Sequence, residues 1–261
     1  MKSTGNKEII TTNVSIPLIP VFHVPHDGTQ FPKELMTSVC VPRDVFLAYH
    51  EKMRDKDVLQ LIPDDYQQDG IVCSFTVSRL LCDVERFIGP KEVMEQFGMG
   101  FCYEKVFDGT VIKHVSDRLK VLSRTYYDHH HNQINRLCRQ HKNILFVDLH
   151  SYSTDIVPKA FIHPNRALPD LCIGTDERFT PPSLTRIVRQ TFQEAGLTVI
   201  ENYPYRGCYI PEVVMNDEYL GDFSAIMLEF NRRTYLDGQG DLILEKIIAI
   251  RNAIIHTLSQ I

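Results

Sequence analysis

The sequence predicts an α/β protein in which helices pack against a layered β-sheet. Short runs of β-branched and aromatic residues, typical of buried strands, recur along the chain. Between them lie segments whose apolar residues repeat at helical spacing. Strands that alternate with helices favour a layered sheet. The 261 residues contain no internal repeat, low-complexity tract or linker, so we expect one domain over residues 1–261.

The elements follow from these patterns in chain order. The expected strands are apolar runs, at 16–24, 71–81 (as one or two strands), 144–147, 171–175, 197–201 and 225–230. The expected helices have apolar residues three or four apart, at 41–61, 111–140, 183–195 and 242–259. Several glycines between 88 and 110 indicate a loop or a short hairpin.

Composition and charge exclude several classes of protein. The chain is 43% hydrophobic and 23% charged, as is ordinary for a soluble globular protein, and its net charge of −5 argues against a general nucleic-acid binder. Its apolar stretches are too short to cross a bilayer, and Met1–Glu8 lacks the apolar core of a signal peptide. Seven cysteines without a C-x-x-C pair indicate reduced thiols. We therefore expect a cytoplasmic protein with no nucleic-acid or membrane partner.

Two apolar runs break into metal-binding residue types at their ends. Asp148, His150 and Ser151 follow the run 144–147, and His26 with Asp27 follows the run that includes Val24. Ligands of open α/β sheets bind beyond the carboxyl ends of the strands. For either histidine alone, a structural role is the better interpretation. The pair, each beside an acid, favours a metal site.

A hydrolytic zinc site takes three protein ligands and leaves a fourth position to water. With His26 and His150 as two ligands, we choose Asp55 as the third, on the helix expected over 41–61, and keep Asp57 as its competitor. Asp148 is instead a candidate to hold a ligand in place as a hydrogen-bond acceptor. Another divalent metal remains an alternative to zinc, because sites of nitrogen and oxygen ligands discriminate weakly by affinity.

Glu229 is the candidate catalytic base because a carboxylate within an apolar run is costly unless it is paired or functional. Burial would raise its pKa towards the range useful for proton transfer. The alternatives are a salt bridge to Arg232 or Arg233, or an outward-facing position on an edge strand.

Arginines and histidines provide the substrate-binding candidates. Arg79 and Arg86 follow a predicted strand, and a guanidinium group fits a carboxylate in a bidentate pair. The alternative is an internal ion pair of Arg86 with Asp83 or Glu85. Arg206 lies in a turn with Tyr205.

Successive residues of a helix point about 100° apart, so His129, His130 and His131 cannot all face one ion. His130 and His131 are candidates to line the site singly, and we expect at least one histidine of the run to be exposed.

No nucleophile elbow, P-loop or dinucleotide fingerprint is present, so Ser151 is not assigned as a nucleophile.

The ordered motifs over roughly residues 20–236 resemble the N-formylglutamate amidohydrolase family. The matching segments are 24–28, 78–79, 83–87, 98–100 with Tyr103, 126–127 with 130–131, 148–151, 202–207 and 228–232.

The resemblance implies a three-layer αβα fold with a mixed central sheet, like that of zinc carboxypeptidases. It also implies zinc-dependent hydrolysis of the amide bond of a small N-acylated amino acid. By this resemblance His26, Asp55 and His150 take the metal-ligand places, and Glu229 takes that of the general base. Arg79, Arg86 and Arg206 take carboxylate-binding places, with Arg79 also a candidate to stabilise the oxyanion. Three residues depart from the family pattern, namely Glu85 in place of an asparagine, Cys208 in place of a glycine and His129 in place of a proline.

Two rival functions remain at this stage. One is a zinc exopeptidase that cuts peptides or peptidoglycan, and the other is a non-catalytic, metal-binding member of the family.

Overall fold

The computed structural model describes residues 18–68 and 71–261, in which a six-stranded mixed sheet is the central element. The strands are β1 (Ile19–Val24), β2 (Val72–Ser74), β3 (Asn143–Tyr152), β4 (Leu171–Gly174), β5 (Val199–Glu201) and β6 (Asp222–Asn231). Their order across the sheet is β2-β1-β3-β6-β4-β5. The first four in this order are parallel, whereas β4 pairs antiparallel with β6 and parallel with β5.

Helices cover both faces of the sheet, so the predicted α/β class and the three-layer mixed arrangement are confirmed. The helices are α1 (Lys33–Ser38), α2 (Arg43–Met53), α3 (Asp64–Gln68), α4 (Asp117–Gln140), α5 (Pro182–Glu194), α6 (Glu212–Met215) and α7 (Leu244–Leu258). One face packs against α5 and α7, where Phe192 and Ile250 share an apolar cluster with Val147 and Leu228 of the strands. The opposite face packs against α4 and α6.

A further apolar cluster lies beside the sheet. It joins α1 and α2 to the N-terminal half of α4 and to the long loop after β2, through residues such as Leu35, Phe46, Leu80 and Leu119. This cluster positions the loop residues 75–112 close to the carboxyl ends of β1 and β3.

The helix expected over 41–61 is shorter than the sequence pattern indicated. It ends at Met53, Arg54 is already extended (φ −71°, ψ 154°), and a separate 3-10 turn follows at Val58–Leu61. Asp55 therefore lies after the helix and not on it. The apolar spacing continues through Val58 because that turn also faces the core, which local periodicity cannot distinguish from a continuous helix.

Other boundaries also differ from the prediction. Only Val72–Ser74 of the expected strand 71–81 is a strand, and α4 begins at Asp117 instead of 111. Ser116 caps α4 by accepting a hydrogen bond from the backbone N–H of Leu119. Lys113 is extended and forms a bridge with Val39, which keeps residues 111–115 out of the helix. The short helices α1, α3 and α6 were not predicted.

The strand expected at 144–147 runs from Asn143 to Tyr152, so the polar residues thought to follow it belong to it. The later strands and helices occur where the patterns placed them, within three residues. Of the predicted first strand, residues 16 and 17 lie outside the described residues, as does Met1–Glu8. Among residues 18–68 and 71–261, none of the helices combines the length and apolar character needed to cross a bilayer.

Candidate metal centre

Three parallel strands bring polar side chains to one face of the sheet near its carboxyl end. His23 of β1 lies opposite Asp148 of β3, and His150 of β3 lies opposite Glu229 of β6. Successive side chains of a strand alternate between the two faces. Leu149, between the two polar residues of β3, points into the core beneath α5 and α7. The four polar side chains therefore share the opposite face, on the side of α4 and α6.

Two loops complete this constellation. His26 follows β1 by two residues, and its carbonyl accepts a hydrogen bond of 2.9 Å from the backbone N–H of Asp55. The Asp27 carboxylate accepts from the backbone N–H of Asp57 at 2.9 Å and forms an ion pair of 2.7 Å with Arg54. These contacts stop α2 and turn the Asp55 side chain towards the strands.

Three ligand-type atoms converge at this point. Oδ2 of Asp55 lies 3.0 Å from Nδ1 of His150 and 3.6 Å from Nδ1 of His26. A tetrahedral ion with bonds of about 2.0–2.1 Å holds its ligand atoms roughly 3.3–3.4 Å apart. All three residues are at least 95% buried. Their spacing and chemistry fit a divalent metal ion such as zinc.

The remaining nitrogens of the two histidines face carboxylates. Nε2 of His26 lies 2.8 Å from Oδ1 of Asp83, and Nε2 of His150 lies 3.1 Å from Oδ1 of Asp148. An acceptor at Nε2 holds a proton there, so Nδ1, on the side of Asp55, is the nitrogen that could bind an ion once its own proton is lost. Each imidazole is thereby oriented with Nδ1 towards Asp55 by its own acid.

Buried acids shift the pKa values of these groups. Burial alone would lower the pKa of His150, but the carboxylates of Glu85 and Asp148 outweigh it and hold that pKa well above its usual range. Burial would raise the pKa of Asp55, whereas hydrogen bonds from His150 and His26 keep it far below its ordinary value. In the absence of an ion, histidine protons therefore balance the carboxylates of the centre.

Glu229 lies at the edge of the same constellation. It is only 7% exposed, and burial raises its pKa to about 8. The alternatives considered for it do not occur, because β6 is an interior strand and the two arginines are engaged elsewhere. Arg233 pairs with Asp170 at 3.0 Å, and Arg232 donates to the carbonyl of Glu51.

Arg79 is held inside the site by protein groups. Its Nη2 lies 2.6 Å from Oδ2 of Asp83, and its Nη1 donates to the carbonyl of Met53 at 3.1 Å and lies 3.7 Å from Oδ1 of Asp55. The hydroxyl of Tyr103 also donates to Asp83, at 2.7 Å. This ion pair braces the acid that orients His26.

The other substrate-binding candidates are more open. Nε of Arg86 lies 3.7 Å from Asp83, and 30% of its side chain is exposed. Tyr205 is partly buried, with its ring 5.8 Å from that of Tyr152, and burial with the charge of Glu229 raises the pKa of its hydroxyl. Arg206 is exposed on the same loop.

The three consecutive histidines of α4 point in different directions, as helical geometry requires. His129 is exposed, which confirms that expectation, and His130 is almost fully buried. Nε2 of His130 lies 2.9 Å from Nε2 of His23. His131 bonds to the carbonyl of Val84 through Nε2 and accepts from the hydroxyl of Tyr209 at Nδ1, both at 2.8 Å. Both His130 and the partly buried His131 contact protein groups behind the converging side chains.

The two acids proposed as the third ligand lie in different surroundings. Asp57 has a left-handed backbone (φ 57°), and its carboxylate bonds to Arg54 at 3.3–3.4 Å. Asp55 alone of the two reaches both His26 and His150.

Sequence reasoning assigned no site role to four residues that the structure places here, namely His23, Asp83, Tyr103 and Tyr209. The signal for His23 was a polar residue inside an apolar run, as for Glu229. Asp83 was interpreted only as a partner of Arg86, whereas Glu85 was also noted as a departure from the family pattern. Tyr209, whose backbone N–H donates to Oδ2 of Asp148 at 2.9 Å, carried no local signal.

The chain is similar to known proteins in both sequence and structure. Residues 19–236 match the family model of N-formylglutamate amidohydrolase. The structure resembles that of N-formylglutamate amidohydrolase from Ralstonia eutropha JMP134, with a TM-score of 0.71, 19% identity, and coverage of 94% of this chain and 93% of that one. It also resembles a gene product from Agrobacterium tumefaciens, with a TM-score of 0.58, 15% identity, and coverage of 92% and 89%. No curated protein shows significant sequence similarity to the chain.

Proposed function

This chain belongs to the N-formylglutamate amidohydrolase family, and from that premise we propose that it hydrolyses the amide bond of an N-acylated amino acid resembling N-formylglutamate. The observation that carries the proposal is the convergence of His26, Asp55 and His150, each buried, with both histidines oriented by carboxylates at Nε2. We propose zinc as the ion at this centre.

The charges around the centre support a divalent ion. Four carboxylates, those of Asp55, Asp83, Glu85 and Asp148, lie within contact distance of the histidines, whereas Arg79 and Arg86 supply two positive charges. Two negative charges are thus left uncompensated when the histidines are neutral. Buried charge is costly unless it is balanced, and one divalent ion balances it. When bound, such an ion supplies Lewis acidity, which polarises an amide carbonyl and lowers the pKa of water.

Glu229 is proposed as the group that moves the proton. Its position opposite His150 places a carboxyl beside the ligand atoms, on the same face of the sheet. The reaction needs a base that takes a proton from the attacking water and an acid that protonates the leaving nitrogen. A carboxyl with a pKa raised towards neutrality can perform both steps in turn.

Arginine and tyrosine side chains are proposed to hold the substrate. Arg86 has an exposed portion and a buried Nε without a hydrogen-bond partner among the described residues, so it is suited to bind a substrate carboxylate. Tyr205 lies within electrostatic range of Glu229 and Asp55 and would contact the acyl group. Arg79 borders Asp55 at 3.7 Å, where it would stabilise negative charge on the carbonyl oxygen. Arg206, exposed on the loop of Tyr205, would bind a distal carboxylate, and His130 and His131 would support the pocket from behind.

We also propose a cytoplasmic location, a single domain and no nucleic-acid partner. The seven cysteines form no disulfide among the residues described, which is in line with a reducing compartment.

A substrate panel tests the proposal. Protein purified without chelator is assayed with formyl-, acetyl- and aminoacyl-amino acids and with peptidoglycan fragments, and its metal content is measured by mass spectrometry. We expect zinc in the protein and turnover of a small N-acyl amino acid that is lost on chelation and restored by Zn²⁺. Preference for peptides or peptidoglycan would make the chain an exopeptidase, and bound metal without any turnover would make it a binding protein.

A further inference from the structure

We infer that His23, Glu85 and Asp148 form a second divalent-cation site, which shares the His150 imidazole with the first. The group lies on the Nε2 side of His150, away from Asp55. The inference concerns metal binding, and it rests on the proposed function only in taking the first ion to sit between His26, Asp55 and His150.

The ligand-type atoms of His23, Glu85 and Asp148 all lie within 4.8 Å of one another, and Nε2 of His150 lies beside the two carboxylates. Oδ1 of Asp148 lies 2.9 Å from Nδ1 of His23 and 3.1 Å from Nε2 of His150. Oε1 of Glu85 lies 3.7 Å from Nδ1 of His23 and 3.4 Å from Nε2 of His150. The edges of a tetrahedron around an ion with bonds of about 2.0–2.1 Å are roughly 3.3–3.4 Å long. Two imidazole nitrogens and two carboxylate oxygens at these spacings form a suitable ligand set for zinc or a similar ion.

Glu85 provides an independent observation. Its Oε1 is buried and has no hydrogen-bond partner among the described residues. Its other oxygen, Oε2, lies 3.5 Å from Nε2 of His26, whose proton is directed to Asp83 at 2.8 Å. A buried carboxylate oxygen without a donor is costly. A cation beside Oε1 removes that cost.

His23 has the support that a metal-bound histidine needs. It is fully buried, and its Nε2 lies 2.9 Å from Nε2 of His130. A ligating histidine donates its other ring N–H to a fixed acceptor, which sets its tautomer. With the proton of His23 on Nε2, His130 is that acceptor, and the lone pair of Nδ1 faces Asp148 and Glu85.

Loading of this site exchanges protons for the ion. Without a second ion, Oδ1 of Asp148 accepts a hydrogen bond from a protonated nitrogen of His23 and another from His150. A cation held by His23, Glu85 and Asp148 would take the place of both protons, because a ligating imidazole nitrogen must be deprotonated; one proton would move to Nε2 of His23 and the other would be released to solvent. His150 would then serve both centres with its two ring nitrogens.

The test counts ions in variants of the whole chain. Metal-stripped protein is dialysed against ZnCl₂, and bound zinc per chain is measured by mass spectrometry and by calorimetric titration. We expect two ions in the wild type, one in Asp55→Asn, and one in each of Glu85→Gln and His23→Gln. His150→Ala should lose both high-affinity ions. His129→Gln and Glu218→Gln, on exposed side chains, are matched controls that should retain two.

The outcomes separate this inference from the proposed function. The second site would be overturned if the wild type bound a single ion and both Glu85→Gln and His23→Gln still bound it. The side chains of His23, Glu85 and Asp148 would then be held together by hydrogen bonds and not by an ion. Two ions that survive all of these substitutions would show adventitious binding and would also overturn it. Two ions that follow the expected pattern, in a protein that hydrolyses no N-acyl amino acid, would refute only the proposed reaction. Glu85→Gln is the decisive variant because Glu85 is partly exposed and its amide keeps the same shape, so the fold tolerates the change.

Discussion

Replacement of Glu229 by glutamine is the sharpest test of the proposed chemistry. The amide has nearly the shape of the carboxyl group but cannot take a proton from water. A positioned general base contributes about 10²–10⁴-fold to a rate, so kcat should fall by that factor, which corresponds to roughly 3–5 kcal/mol of activation free energy. Since Glu229 is not placed among the converging ligand atoms, zinc content should stay unchanged.

The structure also predicts that the loss would not come from unfolding. Glu229 is 7% exposed, and burial already favours its neutral form, so a neutral amide suits the same position. The thermal unfolding temperature of Glu229→Gln should therefore not fall below that of the wild type. Turnover is measured by formate release from N-formyl-L-glutamate, metal by mass spectrometry and unfolding by calorimetry.

A surface variant provides the control. Glu218 pairs with Arg139 on the surface, with about half of each side chain exposed, so Glu218→Gln should leave kcat and metal content unchanged. Full kcat in Glu229→Gln with zinc bound would remove Glu229 from the mechanism. Loss of zinc together with activity would instead show that Glu229 holds the metal centre together.

Three further outcomes follow from other contacts. Arg79→Met leaves Asp83 buried without its 2.6 Å partner, so the free energy of unfolding should fall by roughly 3–5 kcal/mol and calorimetry should show a drop of about 10 °C; an unchanged unfolding temperature would contradict this. Burial lowers the pKa of His50 to about 4, so the unfolded chain binds its proton first as the pH falls. The free energy of unfolding of the wild type should fall by about 3 kcal/mol more than that of His50→Gln between pH 6.5 and pH 4, as measured by denaturant titration. If the unfolding free energies of the two proteins changed in parallel with pH, that contribution of His50 would be refuted. Arg86→Gln should raise KM for N-formyl-L-glutamate by roughly 10–100-fold with little change in kcat, and an unchanged KM would remove its carboxylate-binding role.

Much of the fold was predictable because its strands are buried on both faces. Within β3 and β6, residues 144–149 and 225–230 are apolar apart from Asp148 and Glu229, which is the pattern of a central strand. Boundaries were less predictable where tertiary contacts override local spacing. The clearest case is α2, which stops before Asp55 because the backbone of that residue bonds to His26.

The candidate site was predictable in part for a related reason. His26, His150 and Glu229 interrupt or follow apolar runs, and a polar group in such a place is costly unless it is used. His23 gave the same signal, but its partners Glu85 and His130 are far away in the sequence, the latter by 107 residues. Periodicity carries no information about such distant pairs.

The sequence by itself determined the fold class and the chemical groups of the centre, because burial pattern and residue type are local properties of the chain. Only the tertiary structure decided that Asp55 and not Asp57 joins the histidines, that Nδ1 and not Nε2 of each faces Asp55, and that Arg79 braces Asp83. The physical reason is that these choices depend on distances between side chains on separate strands and loops. Those distances are fixed by packing and by strand register, since a shift of one residue would turn every site residue on the shifted strand to the opposite face of the sheet.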